Sequence, residues 1–116
     1  MLTRLFLMIF LLTLVTRTML AVEPKLLVGH TDPAYAAVYS PDGTKLITAS
    51  FDKTIRIWDL NSLTTLRTLS GHTGLVLCVA ISKDGSRLAS GSLDNTIRMW
   101  DVPLDRKMVL LVKIVL

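Results

Sequence analysis

Residues 29–60 read GHTDPAYAAVYSPDGTKLITASFDKTIRIWDL, and residues 71–102 read GHTGLVLCVAISKDGSRLASGSLDNTIRMWDV. The offset is 42 residues throughout, with no gap, and 14 of the 32 aligned positions are identical. A chain of 116 residues that repeats itself this way builds one supersecondary unit twice. Such a unit does not bury its apolar faces alone, and stacking on a neighbour supplies the core.

The composition of each period is that of strands and tight turns. Residues 34–39 and 75–81 are apolar without alternation, as strands covered on both faces are. Ser40-Pro41-Asp42-Gly43 and Ser82-Lys83-Asp84-Gly85 are turns, in which Asp-Gly supplies the positive φ of a hairpin. Residues 45–50 and 87–92 are the return strands. Second tight turns follow at Asp52-Lys53 and Asp94-Asn95, then β-branched strands at 54–58 and 96–100. Residues 65–69 alternate polar and apolar, as an outer strand with one wet face does. Each period is therefore four antiparallel strands joined by hairpins.

The 42-residue period, with Gly29-His30 and Gly71-His72 at its start and Trp58-Asp59 and Trp100-Asp101 at its end, resembles the WD-repeat β-propeller family. The resemblance covers about the last four-fifths of the chain. It implies an all-β partial propeller of two four-stranded antiparallel blades within 25–102. In the family the strand before Gly-His is the outermost of its blade, which puts the blades at about 25–59 and 65–101. A further strand is expected near 107–112. The next Gly-His would fall at Lys113 and Ile114, so residues 103–116 read as a third blade begun and truncated.

The resemblance also implies two structural tetrads: His30, Ser50, Asp52 and Trp58, and His72, Ser92, Asp94 and Trp100. In each, the His bridges the turn carboxylate and a strand hydroxyl, and the hydroxyl accepts from the indole N–H. Pairing all four avoids a few kcal/mol for each buried polar group left alone. Ser, His and Asp together invite a catalytic-triad reading. That requires an exposed nucleophile beside its base and an oxyanion site, and a constellation that occurs twice with a Trp attached reads as structural. No catalytic residue is expected. His30, His72 and the Asp residues lack local metal-ligand spacing, so neither metal nor cofactor is expected. Cys78, the one cysteine, reads as a buried structural thiol in an inner strand. Arg56 and Arg98 hold equivalent positions and read as solvated or stacking. Asp59 and Asp101 read as turn supports.

In the family, partner contacts gather on the rim that carries the loop after Gly-His and the tight turn. Carried over, the variable rim positions are Pro33, Tyr35 and Phe51, and Leu75, Leu77 and Leu93. Tyr35 and Phe51 read equally as peptide anchors or as blade packing. The leucines read as packing.

The N-terminus, MLTRLFLMIFLLTLVTRTMLAV, has a basic start, an 11-residue apolar run over 5–15 and a polar stretch ending at Ala21. That is the layout of a signal peptide with an apolar helix over 1–21. As a helix the run is about 17 Å long, against roughly 30 Å of hydrocarbon core. A membrane anchor is the alternative. The chain is thus expected to be exported, secreted or periplasmic, and membrane-anchored only if the leader stays uncleaved. The net charge is +4, but Arg4 and Arg17 lie in the leader and the other charges are scattered, so no nucleic-acid stripe is indicated.

Propellers close with four to eight blades. A flank of four five-residue strands spans roughly 320 Å², and covering it is worth up to roughly 8 kcal/mol, which rivals the stability of a small domain. Three arrangements cover the flanks: several copies in a ring, a companion WD-repeat chain, or missing blades of a longer propeller. The apolar end MVLLVKIVL, without turn residues or Gly-His, favours the third. The expected function is a non-catalytic scaffold that presents its rim to protein partners. The alternative is a fragment of a larger exported propeller without activity of its own.

Overall fold

A computed structural model describes residues 23–102 and 110–113. The signal-peptide or anchor helix expected over 1–21 lies outside the described residues. Eight strands follow in chain order: β1 Ala34–Tyr39, β2 Lys45–Ser50, β3 Ile55–Asp59, β4 Thr64–Leu69, β5 Val76–Ile81, β6 Arg87–Ser92, β7 Thr96–Asp101 and β8 Leu110–Lys113. They form two antiparallel four-stranded meanders, β1-β2-β3-β4 and β5-β6-β7-β8. The chain is all-β over the described residues, as expected.

The turns form as their residues dictate. Gly43 and Gly85 take φ of 71° and 73°. In each of these turns the Asp carboxylate accepts from the Ser hydroxyl two residues before it and from the amide two residues after it, at Ser40 and Thr44 around Asp42 and at Ser82 and Ser86 around Asp84. The second turns carry positive φ at Lys53 and Asn95.

The sheets are one strand out of step with the sequence repeats. β4 pairs with β3, so the strand ahead of Gly71-His72 belongs to the first sheet. Residues 25–28, expected as the corresponding strand of the first blade, are not in a strand, and Leu26 and Val28 are exposed. Among the described residues they lie on no third strand like β3, and a lone extended segment gains no ladder. The end of the chain needs the complementary correction. β8 pairs with β7 and completes the second sheet instead of opening a third blade. The free edge of β7 offers a row of unpaired backbone groups, which β8 satisfies. Ile55 pairs with Leu69, whereas Ile97 pairs with Val112, so the return runs one residue later than the 42-residue period.

A single apolar layer lies between the sheets. Ile47, Ala49, Ile55, Ile57 and Leu69 of the first meet Val76, Leu88, Trp100 and Val102 of and beside the second. Strand alternation sets this division. In β2, Ile47 and Ala49 face the second sheet, while Thr48 and Ser50 face the other way. The Arg67 guanidinium on β4 adds a hydrogen bond to the Asp101 carbonyl, tying the sheets at their outer side.

Candidate functional site

Both repeats carry the same hydrogen-bonded set, built on a loop, a turn and two strands. His30 Nδ1 lies 2.7 Å from Asp52 Oδ2, and His30 Nε2 lies 2.7 Å from Thr48 Oγ1. Trp58 Nε1 donates to the same Thr48 hydroxyl at 2.8 Å. In the second repeat His72 Nδ1 is 2.7 Å from Asp94 Oδ2, His72 Nε2 is 2.8 Å from Ser90 Oγ, and Trp100 Nε1 donates to Ser90 Oγ at 2.8 Å. A carboxylate only accepts, so Nδ1 carries the proton. An indole only donates, so the Thr48 and Ser90 hydroxyls accept from it. The contacts run from indole to hydroxyl to imidazole to carboxylate.

The hydroxyl is therefore Thr48 or Ser90, two residues before the Ser50 and Ser92 expected from the sequence. The strand register is the reason. Leu46 sits opposite Trp58 and Thr48 opposite Arg56, so the indole reaches its diagonal neighbour at Thr48, which Ser50 lies beyond. The face was legible, because positions 48 and 50 share it. The register along it was not. Ser50 has another task. Its buried hydroxyl donates toward the Asp32 and Pro33 carbonyls at 3.0 and 3.1 Å and accepts from the Asp52 amide. Ser92 likewise accepts from the Asp94 amide. Ser50 thereby holds its turn against the Gly-His loop, and Ser92 braces its own turn. Neither bonds the His, so the triad geometry is not formed at Ser50 or Ser92.

Burial alone would raise the Asp52 carboxyl. Hydrogen bonds from the Thr54 hydroxyl, His30 and the Thr54 and Thr31 amides outweigh it and hold the group at about 2. The same opposition, with Thr96, His72 and the Thr73 amide, lowers Asp94 well below the usual carboxylate range. Thr54 and Thr96 were missed by the sequence reading, although a Thr two residues after each Asp was visible in both repeats.

The glycines of the two Gly-His pairs have different causes: Gly71 takes a φ of 146°, which side-chain-bearing residues rarely adopt, whereas Gly29 is crowded. A Cβ on Gly29 would stand 2.5 Å from the Arg56 guanidinium and 2.9 Å from the Trp58 ring. Arg56 lies over that indole, 5.8 Å from the ring centroid, and its guanidinium donates to Thr65. This is the stacking role, and the loop backbone covers it. Asp59 supports its turn by accepting from the Asn61 amide at 2.7 Å.

The rim is formed where β1 and β5 begin. Register shifts between Ala34 and Ala36, and between Val76 and Cys78, make Tyr35 and Leu77 the extra residues of two β-bulges. Tyr35 stacks on Phe51 with centroids 5.2 Å apart and planes at 22°. Tyr35 remains 63% exposed and Leu93 59%. Leu75 and Leu77 are half-buried, and Pro33 is exposed. The Pro33 and Leu75 carbonyls accept from the amides of Phe51 and Leu93, which fixes the loop to the turn. Cys78 is exposed, contrary to the buried thiol expected of an inner strand. By strand alternation Cys78 shares with Ala80 the face of β5 that points away from the first sheet, where no described residue covers it.

The geometry agrees with comparisons to known proteins. The family model described as WD domain, G-beta repeat matches residues 22–59 and 63–101. Over 39 residues the chain is 51% identical to the mRNA export factor of Sus scrofa, covering 34% of this chain and 11% of that protein. It is 47% identical over 38 residues to Regulator of rDNA transcription protein 13 of Saccharomyces cerevisiae, covering 33% of this chain and 20% of that protein. The crystal structure of RRP9 WD40 repeats superposes with a TM-score of 0.72 at 30% identity, covering 77% of this chain and 28% of that one. The chain thus spans about a tenth to a fifth of these two curated relatives. Two matched repeats, each locked by the same His, Asp, hydroxyl and Trp, place the chain in the WD domain, G-beta repeat family.

Proposed function

We propose that the chain is a non-catalytic scaffold that binds protein partners through the rim at Tyr35, Phe51 and Leu93. The observation that carries this reading is Tyr35, held out on a bulge and exposed while its ring stacks on half-buried Phe51 of the turn. Aromatic side chains of few rotamers on a fixed backbone bind with little ordering cost, and they dominate interface energetics elsewhere. The loops beneath are braced by the Ser50 and Asp52 hydrogen bonds, so the rim is presented rigidly. Peptides selected for binding from a random library provide the test. Tyr35→Ala is expected to weaken the selected peptides by about tenfold or more while the melting temperature stays within a few degrees. Selected peptides whose affinity is indifferent to Tyr35, Phe51 and Leu93 together would end the proposal.

A second reading is supported by the small share of each relative that the chain spans: two blades of a larger propeller, with no independent activity. The layout of residues 1–21 supports export, or membrane attachment if the leader is retained. Mass spectrometry of the intact product from the expressing cell decides it: a mass that begins near residue 22 supports export, and the full-length mass opposes it.

A further inference from the structure

The chain carries a net charge of +4, yet the loops and turns at the rim lean the other way. Over residues 29–33, 51–54, 70–75 and 93–95 the charged side chains, histidines aside, are Asp32, Asp52, Asp94 and Lys53. Asp52 and Asp94 are engaged by His30 and His72. The Asp32 carboxylate, by contrast, has no hydrogen bond or ion pair among the described residues, and Asp32 is exposed. Its backbone carbonyl accepts from the Ser50 hydroxyl at 3.0 Å, which fixes Asp32 to the turn that carries Phe51.

Tyr35 follows Asp32 along the same loop, a chain distance of at most about 10 Å. Phe51 covers one face of the Tyr35 ring, with the planes at 22°. The other face has no ring or cation partner among the described residues, and Tyr35 stays 63% exposed. An open aromatic face attracts a cation, and a planar guanidinium stacks on it better than a compact ammonium does. The chain uses this pairing inside its first repeat, where the Arg56 guanidinium lies over the Trp58 indole and donates to the Thr65 hydroxyl. At the rim, Tyr35 supplies the ring and Asp32 the acceptor.

We infer that the protein segment seated on this rim presents an arginine, whose guanidinium stacks on the open face of Tyr35 and donates to the Asp32 carboxylate; this rests on the rim being the surface that partners use. Lysine fits less well, because a point charge has no plane to lay on the ring and no fork to offer a carboxylate. Lys53 stands on the turn with Phe51, and Asp32 stands on the loop before Tyr35. The stacked pair is thus flanked by opposite charges, which places the arginine on the Asp32 side.

The test uses the full chain and peptides selected on it from a random library. Peptides that lose affinity on Tyr35→Ala are expected to share an arginine. Replacing that arginine by lysine or by neutral citrulline is expected to weaken binding about threefold or more, a change that leaves the protein's own fold untouched. On the protein, Tyr35→Phe is expected to hold affinity within about twofold, because the ring face remains, and Tyr35→Leu to lose about fivefold or more. Asp32→Asn is expected to weaken binding about threefold in low salt and to matter little at about 0.5 M salt, where the pair is screened. Rim-dependent peptides that share no arginine, an arginine that lysine and citrulline replace without loss, or an affinity that Asp32→Asn leaves unchanged in low salt would each overturn the inference and leave the rim as the binding surface. A library that yields no binder, or peptides indifferent to Tyr35, Phe51 and Leu93 together, would remove both.

Discussion

The two sheets are built from the same repeat, yet their equivalent residues have different surroundings. Ile47, Ala49, Ile55 and Ile57 of the first sheet are almost fully buried. Their counterparts Ala89, Gly91, Ile97 and Met99 are half-buried. The backbone pairing is the same in both, since Ile47 sits opposite Ile57 as Ala89 sits opposite Met99. What differs is the neighbour. The second sheet covers the first, and no described residue covers that face of the second. A strand residue's burial here is set by the next blade rather than by its own sheet. The locking sets show the opposite behaviour. Each draws every member from its own repeat, and the two agree to within 0.1 Å at each of three contacts.

The contrast can be broken first at the tryptophans. Trp58 and Trp100 hold equivalent places, but only Trp100 belongs to the apolar layer between the sheets. Trp100→Ala is expected to cost about 3–5 kcal/mol and to abolish the cooperative melt; Trp58→Ala is expected to cost less, because it spares the layer. Equal losses by thermal unfolding would mean that the inter-sheet layer contributes little beyond the locking set.

The isoleucine and methionine of the third strands sharpen the same point. Ile57→Ala is expected to cost about 2–4 kcal/mol in urea unfolding. Met99→Ala is expected to cost less than about 1.5 kcal/mol, since half-buried atoms lose less transfer energy. A reversal of that order would put the covered face on the second sheet.

Acid tests the part that the two repeats share. The carboxyls of Asp52 and Asp94 titrate below the usual value of 3.8 in the folded chain. The stability they contribute is therefore fully present above about pH 4 and is lost as the pH falls through their folded values. Chemical denaturation at pH 6, 4 and 2.5 is expected to show little change over the first step and a marked drop over the second. Asp52→Asn is expected to flatten the drop. A chain whose stability is unchanged down to pH 2.5 would show that these carboxylates are not held as described.

Much of this was legible in the chain. The period, the turns and seven strands could be placed, because Asp-Gly pairs and apolar runs are local signals. The membership of β4 and β8 was not, since a strand's sheet is decided by which edge is free to pair with it. Cys78 was misread for the same reason: its apolar strand predicts burial, and burial needs a neighbour. The tetrad hydroxyl escaped by two residues. Thr48 and Ser50 lie on one face of one strand, and only the register against β3 says which one the Trp58 indole reaches. Ser90 and Ser92 pose the same ambiguity. The Gly29 constraint was equally hidden, because it comes from Arg56 and Trp58 far along the chain.

Thr48 and Ser90 are the hydroxyls between indole and imidazole. The indole N–H of Trp58 reports this directly in a nuclear magnetic resonance exchange experiment. Thr48→Val keeps the side-chain shape and removes the acceptor, leaving His30 and Trp58 each short of one partner. Its indole proton is expected to exchange with solvent at least tenfold faster, while Ser50→Ala leaves that proton protected. Protection retained in Thr48→Val and lost in Ser50→Ala would contradict the account and return the tetrad to Ser50.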